Sequence, residues 1–114
     1  MGLKYREYLE QEEGKKLFGC STCHSHLATS DKIVSKEFNG QHGPAYLFQK
    51  VVNVDEDDIE EERMMISGTH TIVTISCTRC LTLLGWKYVK ASDDRQKFKE
   101  GKYILEKTLL KIIQ

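Results

Sequence analysis

The chain has 114 residues, with 17 Lys and Arg balanced by 17 Asp and Glu. A chain of this length predicts a single domain whose modest core would benefit from an additional cross-link. Apolar residues make up 39% and charged residues 30%, which is typical of a globular protein. No apolar run approaches the ~18 residues that a membrane-spanning helix needs, so the composition predicts a soluble protein with no membrane role.

Residues 1–14, MGLKYREYLEQEEG, are polar and end in glycine. Tyr5, Tyr8 and Leu9 recur at helical spacing, which predicts a short helix able to dock on the domain or on another protein. We therefore divide the chain into a polar N-terminal extension, 1–14, and one domain, 15–114. Nothing in the N-terminal sequence resembles a secretory signal, so we expect an intracellular protein, in the nucleus, the cytoplasm or both, whose cysteines are reduced.

Strand signals dominate from Leu17 onward, and they predict a mainly β protein. Short runs rich in Val, Ile, Thr and aromatic residues are separated by turn residues. One run lacks strict alternation at Ile72 and Ile75, which predicts a strand that is bulged or buried on both faces. Ser30 and Asp31 precede a segment, KIVSKEF, that fits either a helical turn or a strand. The predicted strands are AYLFQKVVNV (45–54), RMMIS (63–67), HTIVTIS (70–76), TLLGWKYV (82–89) and YILEKTLLKII (103–113).

Charge is distributed unevenly along the chain. The run DEDDIEEE, 55–62, holds seven carboxylates, whereas residues 87–114 hold eight Lys or Arg against four Asp or Glu. An acidic run of this kind predicts a solvated, mobile loop, with a docking site for a basic partner as the alternative.

Two CxxC pairs are the most specific signal in the sequence. Cys20 and Cys23 lie in GCSTCHSH, and Cys77 and Cys80 lie in SCTRC. Each pair can wrap a backbone turn whose two thiolates point at one ion, and two such turns complete a tetrahedron around zinc. A site closed by four sulfurs leaves no open position, so we predict one structural Zn²⁺, with iron as the alternative occupant. Buried free cysteines and redox pairs of the thioredoxin kind are the competing interpretations, but such a redox motif usually occurs once, near a βαβ pattern that is absent here.

The histidines offer further donors. His24 and His26 follow Cys23 closely and are alternative ligands, although with four cysteines available we expect them on the surface or around the ligands. His42 and His70 lie beside turn glycines, where we expect exposed or locally hydrogen-bonded rings.

Several longer motifs resemble the Yippee family of small eukaryotic zinc proteins. They are GCSTCHSHLA, GQHGPAYLFQKVVNV, ERMMISGTHTIVTISCTRC, LGWKY and QKFKEGKYILE, and they extend from about residue 17 to residue 106. The opening MGLKYREY further resembles fungal members of the Moh type. The resemblance implies a β-tent, in which two antiparallel sheets meet at an angle and are pinned near their junction by one zinc ion on Cys20, Cys23, Cys77 and Cys80. The thalidomide-binding domain of cereblon and the Mis18 centromere proteins have the same architecture.

The resemblance also suggests a ligand or partner surface. Cereblon holds its ligand in an aromatic cage, and two cage positions match Trp86 and Tyr88 here, whereas the others have Ile66 and Ile72 or their neighbours instead of tryptophans. Because Trp86 and Tyr88 are two residues apart, both rings lie on one face of a strand, which suits core packing or a shallow pocket. We favour core packing.

We predict a non-enzymatic interaction module, because the closed metal site leaves no thiol for catalysis. Similarity to Yippee proteins associated with the multi-subunit GID/CTLH ubiquitin ligase suggests protein partners and a role as subunit or adaptor of that assembly. A methionine sulfoxide reductase is the rival enzyme, since its fold also resembles a tent with four zinc cysteines, but it needs an additional nucleophilic cysteine. A small-ligand or nucleic-acid-binding module is the remaining alternative, although the acidic run would repel phosphates.

Overall fold

Ten β-strands in two antiparallel sheets form the architecture of residues 7–113, the part of the chain that this computed structural model describes. The mainly β fold predicted from the sequence is therefore confirmed. The smaller sheet contains β1 (Leu17–Cys20), β2 (His26–Thr29) and β10 (Leu110–Ile113). The larger sheet contains β3 (Ile33–Gly40), β4 (Gly43–Phe48), β5 (Val54–Glu56), β6 (Glu61–Met65), β7 (Gly68–Cys77), β8 (Leu83–Ala91) and β9 (Tyr103–Glu106).

The strand order differs from the chain order in both sheets. The smaller sheet runs β10, β1, β2, and the larger sheet runs β3, β4, β9, β8, β7, β5. Strand β6 also pairs with β7, on the half of that strand that β5 leaves free. The C-terminal strand thus lies beside the first strand, and the long β7–β8 hairpin forms the centre of the larger sheet.

Apolar side chains cover both faces of the larger sheet. Neighbouring residues of a strand point to opposite faces, so Leu47 and Phe48 belong to different clusters. Strand β7 contributes Ile75 to one face and Ile72 to the other, and its register against β8 shifts after Thr71. The prediction of a strand that is bulged or buried on both faces is confirmed. The cluster between the sheets contains Phe18, Cys20, Leu27, Ala28, Phe48, Val51, Ile75, Cys77, Leu84 and Leu105, and the opposite cluster contains Ala45, Leu47, Ile72, Trp86, Tyr88 and Ile104.

The predicted strand over 45–54 breaks where the chain leaves the larger sheet. Strand β4 ends at Phe48, and the backbone N–H of Val52 donates to the carbonyl of Leu27 in the smaller sheet at 2.8 Å. Asn53 then takes a left-handed φ of 59°. The single-strand prediction was wrong because the apolar residues Val51 and Val52 continue the hydrophobic run through the bend, where both are buried without strand pairing and Val51 joins the cluster between the sheets.

The predicted strand over 103–113 is also two strands. Strand β9 ends at Glu106 in the larger sheet, and a 3₁₀ turn, Lys107–Leu109, carries the chain to β10 in the smaller sheet. A second 3₁₀ turn, Ser30–Lys32, makes a similar crossing from β2 to β3. The segment KIVSKEF, for which the sequence fits a helical turn or a strand, therefore begins at the end of that turn and continues as β3.

The acidic run 55–62 is not the solvated loop that the sequence predicts. Its first residues belong to β5 and its last to β6, and both strands pair with β7, so only residues 57–60 connect them. The backbone N–H of Asp57 also donates to the carbonyl of Thr74 at 2.9 Å. The prediction was wrong because strand pairing uses backbone groups, so a run of charged side chains does not prevent it.

The described part of the N-terminal extension, from residue 7, docks on the domain without forming a helix. The ring of Tyr8 packs edge-on against His26 with centroids 5.6 Å apart, and the backbone N–H of Leu9 donates to Nδ1 of the same histidine at 2.9 Å. The docking prediction is confirmed for these two residues, the helix prediction is wrong for them, and Tyr5 lies outside the described residues. Within residues 7–113, no helix combines the length and apolar character that crossing a membrane requires.

Gly85 in β8 provides a test of the sheet geometry. Its φ is 158°, and a Cβ atom there would overlap the backbone carbonyl oxygen of Ile104 in β9. Gly43 has a φ of 127° but no heavy atom within 4 Å of the same position. We expect Gly85→Ala to lower the free energy of unfolding by about 2 kcal/mol or more beyond the loss caused by Gly43→Ala, because only the first adds a backbone clash. Urea denaturation of the two zinc-loaded variants measures the difference, and equal losses would contradict the packing of β8 against β9.

Candidate metal centre

Two β-hairpins bring the four cysteines together from opposite parts of the chain. Cys20 ends β1 in the smaller sheet and Cys77 ends β7 in the larger sheet, while Cys23 and Cys80 lie in the turns that follow. The four sulfur atoms lie within 4.8 Å of one another. The metal-binding constellation predicted from the two CxxC pairs therefore assembles in space, with one pair from each sheet.

The two turns have the same backbone shape. In the first, the N–H of His24 donates to the carbonyl of Cys20 at 2.8 Å, and in the second the N–H of Leu81 donates to the carbonyl of Cys77 at 2.9 Å. His24 and Leu81 both take left-handed φ angles, 63° and 65°. This conformation is uncommon for residues other than glycine, and it folds each turn back so that its two thiols converge.

The sulfur separations fit one tetrahedral ion. Cys20 Sγ lies 3.6 Å from Cys80 Sγ, and Cys23 Sγ lies 3.5 Å from Cys77 Sγ. A tetrahedral zinc ion with Zn–S bonds of ~2.3 Å requires sulfurs about 3.8 Å apart. These two separations are close to that value, and all four sulfurs lie within 4.8 Å of one another, so the thiols are grouped closely enough to share one zinc ion. A zinc ion held by four sulfurs supplies a structural cross-link and no open coordination position.

Burial divides the four thiols into two kinds. Cys20 and Cys77 are fully buried, and burial raises the pKa of both, that of Cys77 to about 12. Zinc binds the thiolate form, so these two cysteines must lose their protons when the ion enters. Zinc affinity should therefore fall as the pH falls, because protons compete with the ion for the sulfurs.

Hydroxyl groups accompany the other two thiols. Partial burial favours the neutral thiol of Cys23, but hydrogen bonds from the Ser25 hydroxyl 3.2 Å from its sulfur, from the Ser25 backbone and from the neighbouring thiols together outweigh that effect and lower the pKa to about 6. Burial also favours the neutral thiol of Cys80, but the Thr82 hydroxyl 3.1 Å from its sulfur, together with the Thr82 backbone and Cys20, lowers the pKa of that thiol as well. Each hairpin thus supplies one hydroxyl donor that stabilises a thiolate at its outer cysteine.

The histidines lie apart from the sulfur cluster. His26 Nδ1 accepts the backbone N–H of Leu9, and His24 Nε2 lies 3.4 Å from the ammonium of Lys111. Among residues 7–113, the side chains that converge as a candidate metal site at this place are the four cysteines. His70 is buried with Nδ1 2.9 Å from the carbonyl of Gly68, so it has the local hydrogen bond expected from the sequence. The ring of the exposed His42 lies against Glu106.

Trp86 and Tyr88 extend from the second metal hairpin along β8. They are 7% and 1% exposed, and their rings meet edge to face with centroids 6.2 Å apart. Both belong to the apolar cluster on the face of the larger sheet away from the metal, and both also line a cavity of about 440 Å³. The sequence left two interpretations of these rings open, core packing and a pocket, and both apply: the two rings pack in the core and also line the cavity.

The remaining cavity wall differs in part from the expectation. Ile66 lines the cavity together with its neighbour Met65, whereas Ile72 is fully buried in the cluster behind it. Phe38 and Lys99 also line the cavity, and sequence reasoning missed both. Phe38 lies in a segment whose strand character was open, and no sequence signal marks a buried lysine, because lysines are almost always exposed.

Ser25 and Ser21 give a matched test of the metal centre, since both lie in the first cysteine hairpin and only the Ser25 hydroxyl lies within hydrogen-bond distance of a cysteine sulfur. We expect Ser25→Ala to weaken zinc binding about tenfold or more, because partners of metal ligands commonly contribute that much. Ser21→Ala should leave the affinity unchanged. Competition with a colorimetric zinc chelator measures both variants, and equal affinities would contradict a contribution of the Ser25 hydroxyl to the zinc-bound thiolate of Cys23.

Comparison with known proteins identifies the family. One protein-family model matches residues 16–114, and its description is "Yippee zinc-binding/DNA-binding /Mis18, centromere assembly". A yippee-like protein of Solanum tuberosum is 51% identical over 92 residues, which are 81% of this chain and 70% of the other. The protein yippee-like 4 of Homo sapiens is 45% identical over 102 residues, or 90% of this chain and 78% of the other.

The fold is shared with a solved structure of much lower sequence similarity. The crystal structure of the Mis18 Yippee-like domain matches with a TM-score of 0.69 at 19% identity, and the match covers 88% of this chain and 96% of that domain. The converging cysteines and the family description agree on one zinc ion. With the family model matching nearly the whole chain, this protein belongs to the Yippee/Mis18 zinc-binding family.

Proposed function

We propose that the chain is a non-enzymatic interaction module, in which the zinc ion holds a rigid β scaffold and the cavity at Trp86 and Tyr88 receives a segment of a protein partner. The observation that carries the proposal is the separation of the two features across the larger sheet. The cysteines pack in the cluster between the sheets, whereas the cavity lies on the opposite face. A cavity of about 440 Å³ with aromatic walls is within the usual size range of binding pockets.

The arrangement of the thiols supports a non-catalytic role. A methionine sulfoxide reductase needs a nucleophilic cysteine in addition to its zinc ligands. All four cysteines of the sequence converge at the metal centre, which leaves no separate thiol for attack on sulfur.

Nucleic acid binding has less support from the distribution of charge. In the basic C-terminal part of the chain, Lys87 pairs with Glu56 at 3.1 Å, and Lys99 is only 4% exposed. Arg95 likewise pairs with Asp93 at 3.0 Å. These three of the eight cations in residues 87–114 are therefore engaged within the domain, which reduces the positive charge available to a phosphate backbone.

An exposed apolar side chain at the cavity favours a macromolecular partner over a small ligand alone. Ile66 lines the cavity and is fully exposed, with a relative exposure of 110%. Apolar side chains beside a buried aromatic pair are typical of the centre of protein interfaces. A partner segment that entered the cavity would cover Ile66 as well.

We further propose that the assembly served by this module is a multi-subunit ubiquitin ligase of the GID/CTLH type, located in the nucleus, the cytoplasm or both. The resemblance of the cysteine, LGWKY and QKFKEGKYILE motifs to Yippee proteins associated with that ligase supports this assignment. The module would then act as a subunit or adaptor of the ligase through its protein contacts.

Affinity purification of the tagged chain from its native cells, followed by mass spectrometry, tests this function. Wild-type chain should recover GID/CTLH ligase subunits, and Ile66→Asp should reduce that recovery about tenfold or more, because it adds a charge to an apolar contact. Ile59→Asp is the matched control, since Ile59 is 73% exposed and does not line the cavity.

Recovery of the wild-type chain only as a free monomer under gentle lysis would contradict the assembly role. Equal recovery by the two isoleucine variants and the wild type would instead place the ligase contact on a surface away from the cavity and contradict the docking part of the proposal.

A further inference from the structure

The cavity contains a buried cation without a counter-charge. Lys99 is 4% exposed, and its ammonium donates a hydrogen bond to the hydroxyl of Ser67 at 2.9 Å. The rings of Phe38 and Tyr88 lie 5.3 and 5.4 Å from the same ammonium. No carboxylate pairs with Lys99 among residues 7–113. Burial lowers the pKa of Lys99, and nothing nearby offsets that effect.

Aromatic rings compensate a buried ammonium only in part. A cation over a ring gains less than an ion loses when it is taken out of water, so buried lysines are usually paired with an acid. The missing partner is a group that accepts hydrogen bonds and carries negative charge. A ligand in the cavity can supply it.

The same wall holds a buried donor without an acceptor. The indole Nε1 of Trp86 is buried and makes no hydrogen bond within the described residues, although Trp86 is only 7% exposed. Burial raises the pKa of the Tyr88 hydroxyl, and the nearby indole of Trp86 opposes that effect only in part. A buried N–H without an acceptor is costly, and at a cavity wall it marks the place where a ligand acceptor belongs.

The remaining charges around the cavity are at its edge. The guanidinium of Arg63 lies 5.6 Å from the centroid of the Trp86 ring and is hydrogen-bonded to Glu61 at 3.0 Å. Glu37 also lines the cavity and is exposed to solvent. The buried part of the wall therefore presents one ammonium and one N–H donor among apolar side chains, and it holds no acid.

We propose that the cavity binds a carboxylate carried on a short apolar stem, presented by a protein partner. The carboxylate accepts hydrogen bonds from Lys99 and from the indole N–H of Trp86, which both adjoin the Tyr88 ring, and the stem packs against Phe38 and Met65. This inference rests on the proposed docking function and adds the chemistry of the docked group. Two sources of such a carboxylate are the C-terminus of a polypeptide and the side chain of a glutamate.

The test uses two pairs of probes, and within each pair one compound carries a carboxylate and the other the corresponding neutral amide. N-acetylleucine and N-acetylleucine amide imitate a C-terminus with and without its carboxylate, and N-acetylglutamate amide and N-acetylglutamine amide do the same for a side chain. Trp86 is the only tryptophan in the sequence, so its indole cross-peak in a ¹H–¹⁵N spectrum of the zinc-loaded protein reports directly on the proposed hydrogen bond. We expect one carboxylate probe to shift this peak and to bind about tenfold or more tightly than its amide, because hydrogen bonds to charged groups are the stronger ones. The pair that shows this preference identifies the source of the carboxylate.

Two lysine variants test which positive charge causes the preference for carboxylate over amide. Lys99→Met keeps an apolar side chain of similar length and should remove the preference for carboxylate over amide. Lys90→Met is the matched control, since Lys90 is exposed on β8 and does not line the cavity, and it should keep the preference. Loss of the preference in both variants would contradict a direct contact with Lys99. The comparison of the probes on the wild-type protein remains decisive if Lys99→Met does not fold.

The outcomes separate this inference from the proposed function. Equal binding of carboxylate and amide would overturn the carboxylate inference while leaving the cavity as a docking site. Binding of inorganic phosphate as tight as that of the carboxylates would indicate a general anion site and overturn the role of the apolar stem. If no probe moves the indole peak at millimolar concentration, the inference fails, whereas the co-purification of the Ile66 and Ile59 variants still decides the docking function independently.

Discussion

The convergence of two cysteine pairs from different sheets is the constraint on which the rest of this molecule depends. Each sheet supplies one hairpin, and no disulfide joins the sheets, because all four cysteines are free thiols at the metal centre. Structural zinc contributes on the order of 10 kcal/mol to the folding of small domains, which is comparable to the whole net stability of an ordinary one. The apolar cluster between the sheets includes Cys20 and Cys77 themselves, so the metal and the core stabilise the same interface.

The metal hairpin and the cavity are mechanically connected through β7 and β8. The turn that carries Cys80 leads into β8, and Trp86 follows within the same strand, opposite Thr74 of β7. The zinc ion therefore fixes the start of the strand whose middle forms a cavity wall. Gly85 lets β9 approach that strand closely, which places Ile104 behind the aromatic pair. A site built on such a strand is held more firmly than one built on a loop.

The metal centre was predictable from the sequence because the two cysteines of a CxxC pair lie close together in the chain, so their spacing alone indicates a turn that can bind a metal. The mainly β character was predictable for a similar reason, since β-branched and aromatic runs indicate strands. The strand boundaries at residues 49–53 and 107–109 were not predictable. Apolar side chains continue through both bends, and hydrophobic periodicity does not show where a chain passes from one sheet to another. The charge in the cavity was also hidden: Lys99 belongs to a polar segment, QKFKEGK, and only the fold reveals that its ammonium is buried among rings.

The two faces of the larger sheet have different roles. One face is committed to the metal and to the contact between sheets, and the other holds a cavity whose buried wall carries an unpaired cation and an unpaired donor. A structural metal on one side can thus hold in place the cavity on the other without contacting it. The module interpretation follows from this arrangement, and it fails if the metal is dispensable.

Simultaneous measurement of metal release and structure during chelation tests that dependence most directly. The zinc-loaded protein is titrated with a strong chelator while released zinc is followed with a colorimetric dye and β structure by circular dichroism in the same sample. The account predicts that one zinc ion per chain is released, that structure is lost along the same curve, and that both return when zinc is added back. Retention of the native spectrum after the metal has left, or the absence of stoichiometric zinc at the start, would contradict it.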